Sequence, residues 1–455
     1  MLNGIKIQNF KKFLNKQSIP LKPLSIICGK NSSGKSSCIQ SLLLLKQSLN
    51  IKNGSQNSLS FSGPFIHRDS IGDFFFKSTN NMHESTVFSF QLDDYEIEYA
   101  FQDITLKDDI PITVVQNYKI IGKSGENLIS LTRESDNFYS FRSSIVSPGD
   151  FLEKTPFRKE KDKTKFIFDG LTPFIHHEMS KTSVMCLPLP IFFSAFDFSN
   201  YQNFENIHDN FIQTLSKIRY LGPVRARPQS AYMQYLDVDL DLNSDGGNVA
   251  QIIWRLQRQK INGYEDGLTF QDLVNKYLGI LGIEQTMKVS RREKIVYSIE
   301  LSVANDKTQF VPISDVGFGV SQVLPVILNG LLTFPSGIAI FEQPEIHLHP
   351  ECKGKLADVF LDFVKHRRQV IVETHSSELI DNLRLRIIEN PSLKEQINII
   401  FIEDSDDGSA QVRIVDLDDD GIPLEWPRGF CDTTASTARK MLIARNRKSK
   451  KMDTK

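Results

Sequence analysis

The chain has 455 residues, 40% of them hydrophobic, enough apolar content to bury a large core in two or three compact regions. Charged residues make up 24% of the sequence and the formal net charge is -1, so no overall field draws the molecule to nucleic acid or a membrane, and any DNA contact has to be local. The longest apolar runs, Leu42-Leu43-Leu44-Leu45 and Ile338-Ala339-Ile340-Phe341, fall far short of the roughly 18 to 20 residues that cross a bilayer.

The first residues alternate as a strand does, Ile5-Lys6-Ile7-Gln8-Asn9-Phe10, in place of a charged segment followed by an apolar one, and the expected location is the cytoplasm. Cys28, Cys38, Cys186, Cys352 and Cys431 are scattered without a CxxC pair, which predicts reduced thiols over a disulfide frame or a zinc site. A strand over 24–28 leads into Gly29-Lys30-Asn31-Ser32-Ser33-Gly34-Lys35-Ser36, and an apolar helical run follows from Ser37 to Ser48. The spacing fits GxxxxGK[ST] in full, in the strand-then-helix context that makes it a physical site. Its glycines let backbone N–H groups approach phosphate oxygens, and the helix start adds a positive dipole end. ATP or a related nucleoside triphosphate with Mg²⁺ is the expected ligand, Lys35 pairing with the β- and γ-phosphates and the Ser36 hydroxyl ligating the metal.

Residues 50–220 change character. The alternation in Thr86-Val87-Phe88-Ser89-Phe90-Gln91-Leu92 and Tyr95-Glu96-Ile97-Glu98-Tyr99 predicts antiparallel strands and hairpins, an inserted lobe. The polar stretch 50–58 and the charge run 158–165 read as solvated loops. From 204 to 281 the period becomes helical, as in Ile252-Ile253-Trp254-Arg255-Leu256, with no sustained heptad and hence no long coiled-coil arm.

Further on, Ile313-Ser314-Asp315-Val316-Gly317-Phe318-Gly319-Val320-Ser321-Gln322 is a Gly/Ser loop opening a helix over 322–332, much like a second phosphate-binding helix start. Ser336-Gly337-Ile338-Ala339-Ile340-Phe341-Glu342 is a buried-strand pattern ending in a carboxylate, which assigns Glu342 to the Mg²⁺ that bridges the β- and γ-phosphates. Gln343 follows. A glutamine takes no proton from water, and losing a general base costs about 10²–10⁴-fold in rate, so either hydrolysis is slow or another acid serves. Glu345 is the substitute candidate, and the acid of a helix start is an equal reading of it. A third apolar strand, Gln369-Val370-Ile371-Val372-Glu373-Thr374, ends at His375-Ser376, where the histidine can reach a γ-phosphate. His347 and His349, two apart and without a third ligand, make a weak zinc site.

The order and wording of these motifs resemble the ABC-type AAA ATPases related to the chromosome-organising, RecF and OLD proteins. The strings Glu342-Gln343-Pro344-Glu345-Ile346-His347-Leu348-His349-Pro350, Val372-Glu373-Thr374-His375-Ser376 and Trp426-Pro427-Arg428-Gly429-Phe430 are similar to a prokaryotic group with a DUF3696-like C-terminus. Several of that group serve phage defence, among them the ATPase subunits of the Septu system, which work beside an HNH nuclease. The resemblance spans roughly residues 1–50 and 220–432. It implies an α/β fold, an ABC-type P-loop ATPase head with a mixed sheet flanked by helices and an inserted antiparallel-β and helical lobe. It places nucleotide contacts at Gly29, Lys30, Asn31, Ser32, Ser33, Gly34, Lys35, Ser36 and Ser37, and makes Glu342 the Walker B acid and His375 the switch histidine. Ser314, Gly317 and Gly319 join the loop that caps the nucleotide of a second subunit, with Ser314 or Ser321 as the family serine. The implied partners are a second copy in a head-to-head dimer or higher even oligomer, an HNH nuclease of the PtuB kind, and DNA. Gln343 departs from the family, standing where many of these enzymes have a catalytic glutamate, and implies a long-lived ATP-bound form.

The expected layout is 1–50 for the first half of the head, 51–219 for the lobe, 220–300 for a segment returning to the head, 301–432 for the second half and 433–455 for a basic tail. OLD-type nucleases append a metal-binding Toprim domain. Here the acidic strings Glu403-Asp404-Ser405-Asp406-Asp407 and Asp416-Leu417-Asp418-Asp419-Asp420 flank a strand over 410–415 and read as hairpin turns, so a nuclease is expected in trans. The tail reads as a solvated helix, with DNA phosphates or a partner as its other uses. Two further classes stay open: a stand-alone ATPase of DNA repair or recombination, and a transporter's nucleotide-binding subunit, against which the lobe and Gln343 both count.

Overall fold

The computed structural model describes residues 1–49, 58–74, 85–105, 111–135, 138–144, 164–169, 172–180, 183–188, 202–233, 241–261, 263–264, 267–293, 296–303, 306–418, 420–425, 427, 441 and 443. Most of the 50–58 stretch and of the 158–165 charge run, Trp426, residues 428–430, Cys431 and all of the tail but Met441 and Ile443 lie outside the described residues.

In chain order the elements are β1 (Gly4–Gln8), β2 (Gln17–Pro20), β3 (Leu24–Gly29), α1 (Lys35–Ser48), β4 (Thr86–Gln91), β5 (Tyr95–Thr105), β6 (Pro111–Gly122), β7 (Asn127–Ser135) and β8 (Phe138–Ser143). Then come β9 (Thr164–Asp169), β10 (Thr172–Ser180), β11 (Ser183–Pro188), α2 (Gln202–Ser216), β12 (Ile218–Leu221), β13 (Tyr232–Met233), α3 (Val249–Leu256) and α4 (Phe270–Ile280). β14 (Met287–Glu293), β15 (Val296–Val303), β16 (Asp306–Pro312), α5 (Phe318–Leu332), β17 (Ile338–Glu342), α6 (Pro350–Lys365), β18 (Gln369–Glu373), α7 (Ser377–Glu389), β19 (Ile397–Asp404) and β20 (Ala410–Val415) complete them.

The central sheet has the order β12-β17-β18-β3-β19-β20, parallel from β12 to β19 and antiparallel at β20. Parallel strands covered on both faces read as continuous apolar runs, and β17 and β18 are buried at every position. Successive side chains alternate between faces, so one strand feeds two cores. Ile338 and Ile340 pack into the cluster that holds α1 and the antiparallel sheet, while Ala339 and Phe341 pack into the cluster of α4, α5 and α6.

The antiparallel sheet runs β2-β1-β4-β5-β6-β7-β8. Its β4 pairs directly with β1, Ile5 opposite Phe90, so the strands expected around 86–99 extend a sheet begun by the first residues of the chain. The helix expected over 322–332 starts earlier, at Phe318 with Gly317 at its N-cap. Gly319 and Ser321 therefore sit in its first turn and not in the loop: N–H groups there have no intrahelical partner in any case, and buried Val320 anchors the turn. The acidic strings are turns. Ser405 and Ser409 close the β19–β20 hairpin, and the Asp418 carboxylate accepts the Asp420 and Ile422 N–H groups. Among the described residues no helix is long and apolar enough to cross a membrane.

Candidate nucleotide site

β3 delivers the Gly29–Ser36 segment to the tips of the parallel strands. A Cβ on Gly29 (φ 145°) would stand 2.1 Å from the Ile402 carbonyl oxygen of β19, so only glycine lets the chain turn there. Gly34 (φ 111°) is the N-cap of α1, with no capping side chain and no acid in the first turn. The helix start thus keeps unpaired N–H groups and its positive dipole end for an anion. Lys30, Asn31 and Ser32 face solvent, whereas Ser33, Lys35 and Ser37 are buried, and the Ser33 hydroxyl has no partner. Lys35 Nζ donates to the Lys30 carbonyl at 2.6 Å, folding the loop round its own cation. Burial lowers the Lys35 pKa and the charge of Glu373 opposes that.

Two acids stand beside the loop. Glu342 ends β17 and Glu373 ends β18, opposite each other in register, and both are buried. The Ser36 hydroxyl donates to Glu373 Oε1 at 3.1 Å, while Glu373 Oε2 is buried with no partner. The neighbouring Tyr220 hydroxyl favours the charged form of the Glu342 carboxyl, and the Glu342 main-chain oxygen accepts from Arg225 Nη2 at 3.3 Å. Arg225 Nη1 is buried and unpartnered. Burial first, and then the neighbouring Glu373, push the Glu342 carboxyl up to about 7. Burial likewise raises Glu373. Lys11 lies on the same side, brought down to about 8 by burial and Arg68 against the pull of Glu342.

Past β17 the chain turns sharply. Gln343 has φ 46° and its N–H donates to the Glu373 carbonyl at 2.7 Å. Glu345 is buried; its Oε1 accepts the His375 N–H at 2.9 Å and its Oε2 has no partner. His375 is exposed just beyond β18. His349 N-caps α6 through its side chain, a structural duty that fits the absence of a zinc constellation in its sequence spacing. Ser314 donates to its neighbour Asp315 at 2.9 Å, Gly317 is exposed and Ser321 buried. The fold thus gathers residues 29–37, Glu342, Gln343, Glu345 and His375 at one edge. Among the described residues no hydrogen bond joins Ser314, Gly317 or Gly319 to residues 29–37.

A family model described as "AAA ATPase domain" matches residues 1–221 and 233–380. The chain belongs to this family. No curated protein matches the AAA ATPase. Similar solved structures include the SMC head bound to the C-winged helix domain of ScpA (12% identity, TM-score 0.44, covering 92% of this chain and 98% of that one). Others are the SMC head domain from Thermotoga maritima (13%, 0.38, 93% and 99%) and the Smc head domain with an extended coiled coil, bound to the C-terminal domain of ScpA, derived from Pyrococcus furiosus (12%, 0.42, 98% and 99%). Those overlaps are shallow. The P-loop ATPase fold stands on the chain's own strand order and the family match.

Family membership implies a nucleotide, generally with Mg²⁺, and the residues fit both. Glycines at the left-handed positions 29 and 34 that shape the loop, an uncapped helix start, the unpartnered Ser33 hydroxyl and buried Lys35 suit phosphate. The Ser36 hydroxyl with two buried carboxylates is a hard-oxygen donor set of the kind Mg²⁺ prefers. Bound there, Mg²⁺ would neutralise phosphate charge. Lys35 would hold phosphate oxygens, and Ser36 with the acids would fix the metal. Sequence reasoning missed Glu373, Tyr220, Arg225 and Lys11. Glu373 had a signal, since β17 and β18 both read as an apolar run ending in glutamate. Arg225 had only its place after the β12 strand.

Proposed function

We propose that this AAA ATPase is a slowly hydrolysing, ATP-gated clamp of a prokaryotic antiphage defence complex, the counterpart of PtuA in the Septu system, regulating an HNH nuclease partner. Two copies face each other, each sealing the other's Mg²⁺-ATP between residues 29–37 and the partner's Ser314, Gly317, Gly319 and Ser321 segment, so that nucleotide state becomes interface state. The observation carrying the reading is Gln343. It stands directly after the acid that ends β17, its backbone pinned to Glu373, where a carboxylate would take a proton from water. Without that base the ATP-bound form persists, and Glu342, Glu345 and His375 hold and sense nucleotide more than they consume it. The solvent-facing Gly317 supports an engagement in trans.

The test is purification of the tagged protein from its native operon, with the masses of the intact assembly and its components. A stoichiometric HNH protein on an even-numbered ATPase assembly is expected. A lone monomer or dimer whose hydrolysis is stimulated by DNA would overturn the defence assignment in favour of DNA repair.

A further inference from the structure

β18 lies between β3 and β17 in the central sheet. Neighbouring strands are about 4.8 Å apart, so Glu373 is one strand from the phosphate-loop strand, opposite Ile27 of β3, and Glu342 is two strands away. The contacts follow that spacing. Glu373 Oε1 holds the Ser36 hydroxyl at 3.1 Å, and its other oxygen is buried with nothing to bind. Glu342 is approached from the far side, where Arg225 Nη2 donates to its main-chain oxygen at 3.3 Å.

Resting on the nucleotide-binding reading above, we propose that Glu373 is the acid that anchors Mg²⁺ in this site, through its bond to Ser36 and its unpartnered oxygen, with Glu342 supporting it from the neighbouring strand. A carboxylate that accepts from a metal-ligating hydroxyl orients the oxygen lone pairs toward the ion, and loss of such an outer partner costs about 10–100-fold in metal affinity. The free oxygen supplies a second point of attachment, direct or through a water molecule. The metal-anchoring carboxylate is then displaced one strand from the strand end that the sequence pattern singles out.

Glu373→Gln separates this role from a structural one, because glutamine keeps the size of the side chain and an oxygen to accept the Ser36 hydroxyl, losing only the charge. Binding of N-methylanthraniloyl-ATP is measured by fluorescence in EDTA and in excess MgCl₂. The wild type is expected to bind more tightly with Mg²⁺; in Glu373→Gln that Mg²⁺-dependent gain falls by about tenfold or more while binding in EDTA stays within about threefold. An unchanged gain in a folded Glu373→Gln protein overturns the proposal. Should that variant fail to fold, Glu373→Asp decides, since it keeps the charge but withdraws it from Ser36 by one methylene: a Mg²⁺-dependent gain within about threefold of wild type overturns the proposal, and any larger fall supports it. A wild-type protein that binds no nucleotide under either condition would instead sink the nucleotide-site reading itself.

Discussion

The buried carboxylate of Glu345 accepts the backbone N–H of His375 at 2.9 Å, lacing the turn after β17 to the tip of β18. The bond needs an acceptor oxygen and not a charge. Glu345→Gln is therefore expected to fold like the wild type, whereas Glu345→Ala leaves that half-buried N–H without its partner and lowers stability by about 1 kcal/mol. Steady-state ATPase assays on the Gln variant then settle the chemistry: a fall of about 10²-fold or more makes Glu345 the general base, and an unchanged rate makes it a strap.

Gln343→Glu restores a proton acceptor at a backbone position already fixed by the 2.7 Å bond to the Glu373 carbonyl. Hydrolysis measured by phosphate release is expected to rise by at least about tenfold. An unchanged rate would mean that the base already lies elsewhere.

Lys35→Ala removes the cation buried against the Lys30 carbonyl at 2.6 Å. Nucleotide binding should weaken by about 10–100-fold, the equivalent of one or two charge-assisted hydrogen bonds, with little change in the melting temperature because the group lost served the ligand.

Gly29→Ala should cost stability as well. Its φ of 145° and the 2.1 Å approach to Ile402 leave no room for a methyl group, and a loss of about 2 kcal/mol or more is expected in denaturant unfolding, alongside weakened nucleotide binding.

Acid should loosen the antiparallel sheet before it reaches the ordinary carboxylate range. His208 is buried against the Tyr118 hydroxyl, 3.2 Å from its Nδ1, and burial brings its pKa from 6.5 down to about 4. The unfolded chain binds a proton there that the folded chain refuses, so stability falls as pH drops from about 6.5 to 4, by about 3 kcal/mol in all. Urea unfolding at pH 7.5 and 5 measures the slope. His208→Gln, which keeps an acceptor for Tyr118, should flatten it.

The phosphate loop and the strands ending at Glu342 and Glu373 were legible because their apolar runs and glycine spacing are local in sequence. The helix start at Phe318 was less so: glycines at 317 and 319 look like a loop until Val320 is seen to be buried beneath them. Glu373 was hidden differently. Its part depends on β18 falling between β3 and β17, and lateral strand order leaves no periodic trace along the chain. Tyr220 and Arg225 meet Glu342 from more than a hundred residues away, a contact that only the folded sheet creates.

The pairing of β4 with β1 decides where this molecule can be cut. Deleting residues 51–219 as a detachable insert would strip the neighbour from β1 and leave a row of unsatisfied N–H and C=O groups beside the segment carrying Lys11 and Lys12. An open strand edge of that kind recruits other chains. The lobe thus completes a sheet that the first strand of the chain begins, and a minimal nucleotide-binding fragment has to carry β4 with it to remain monodisperse.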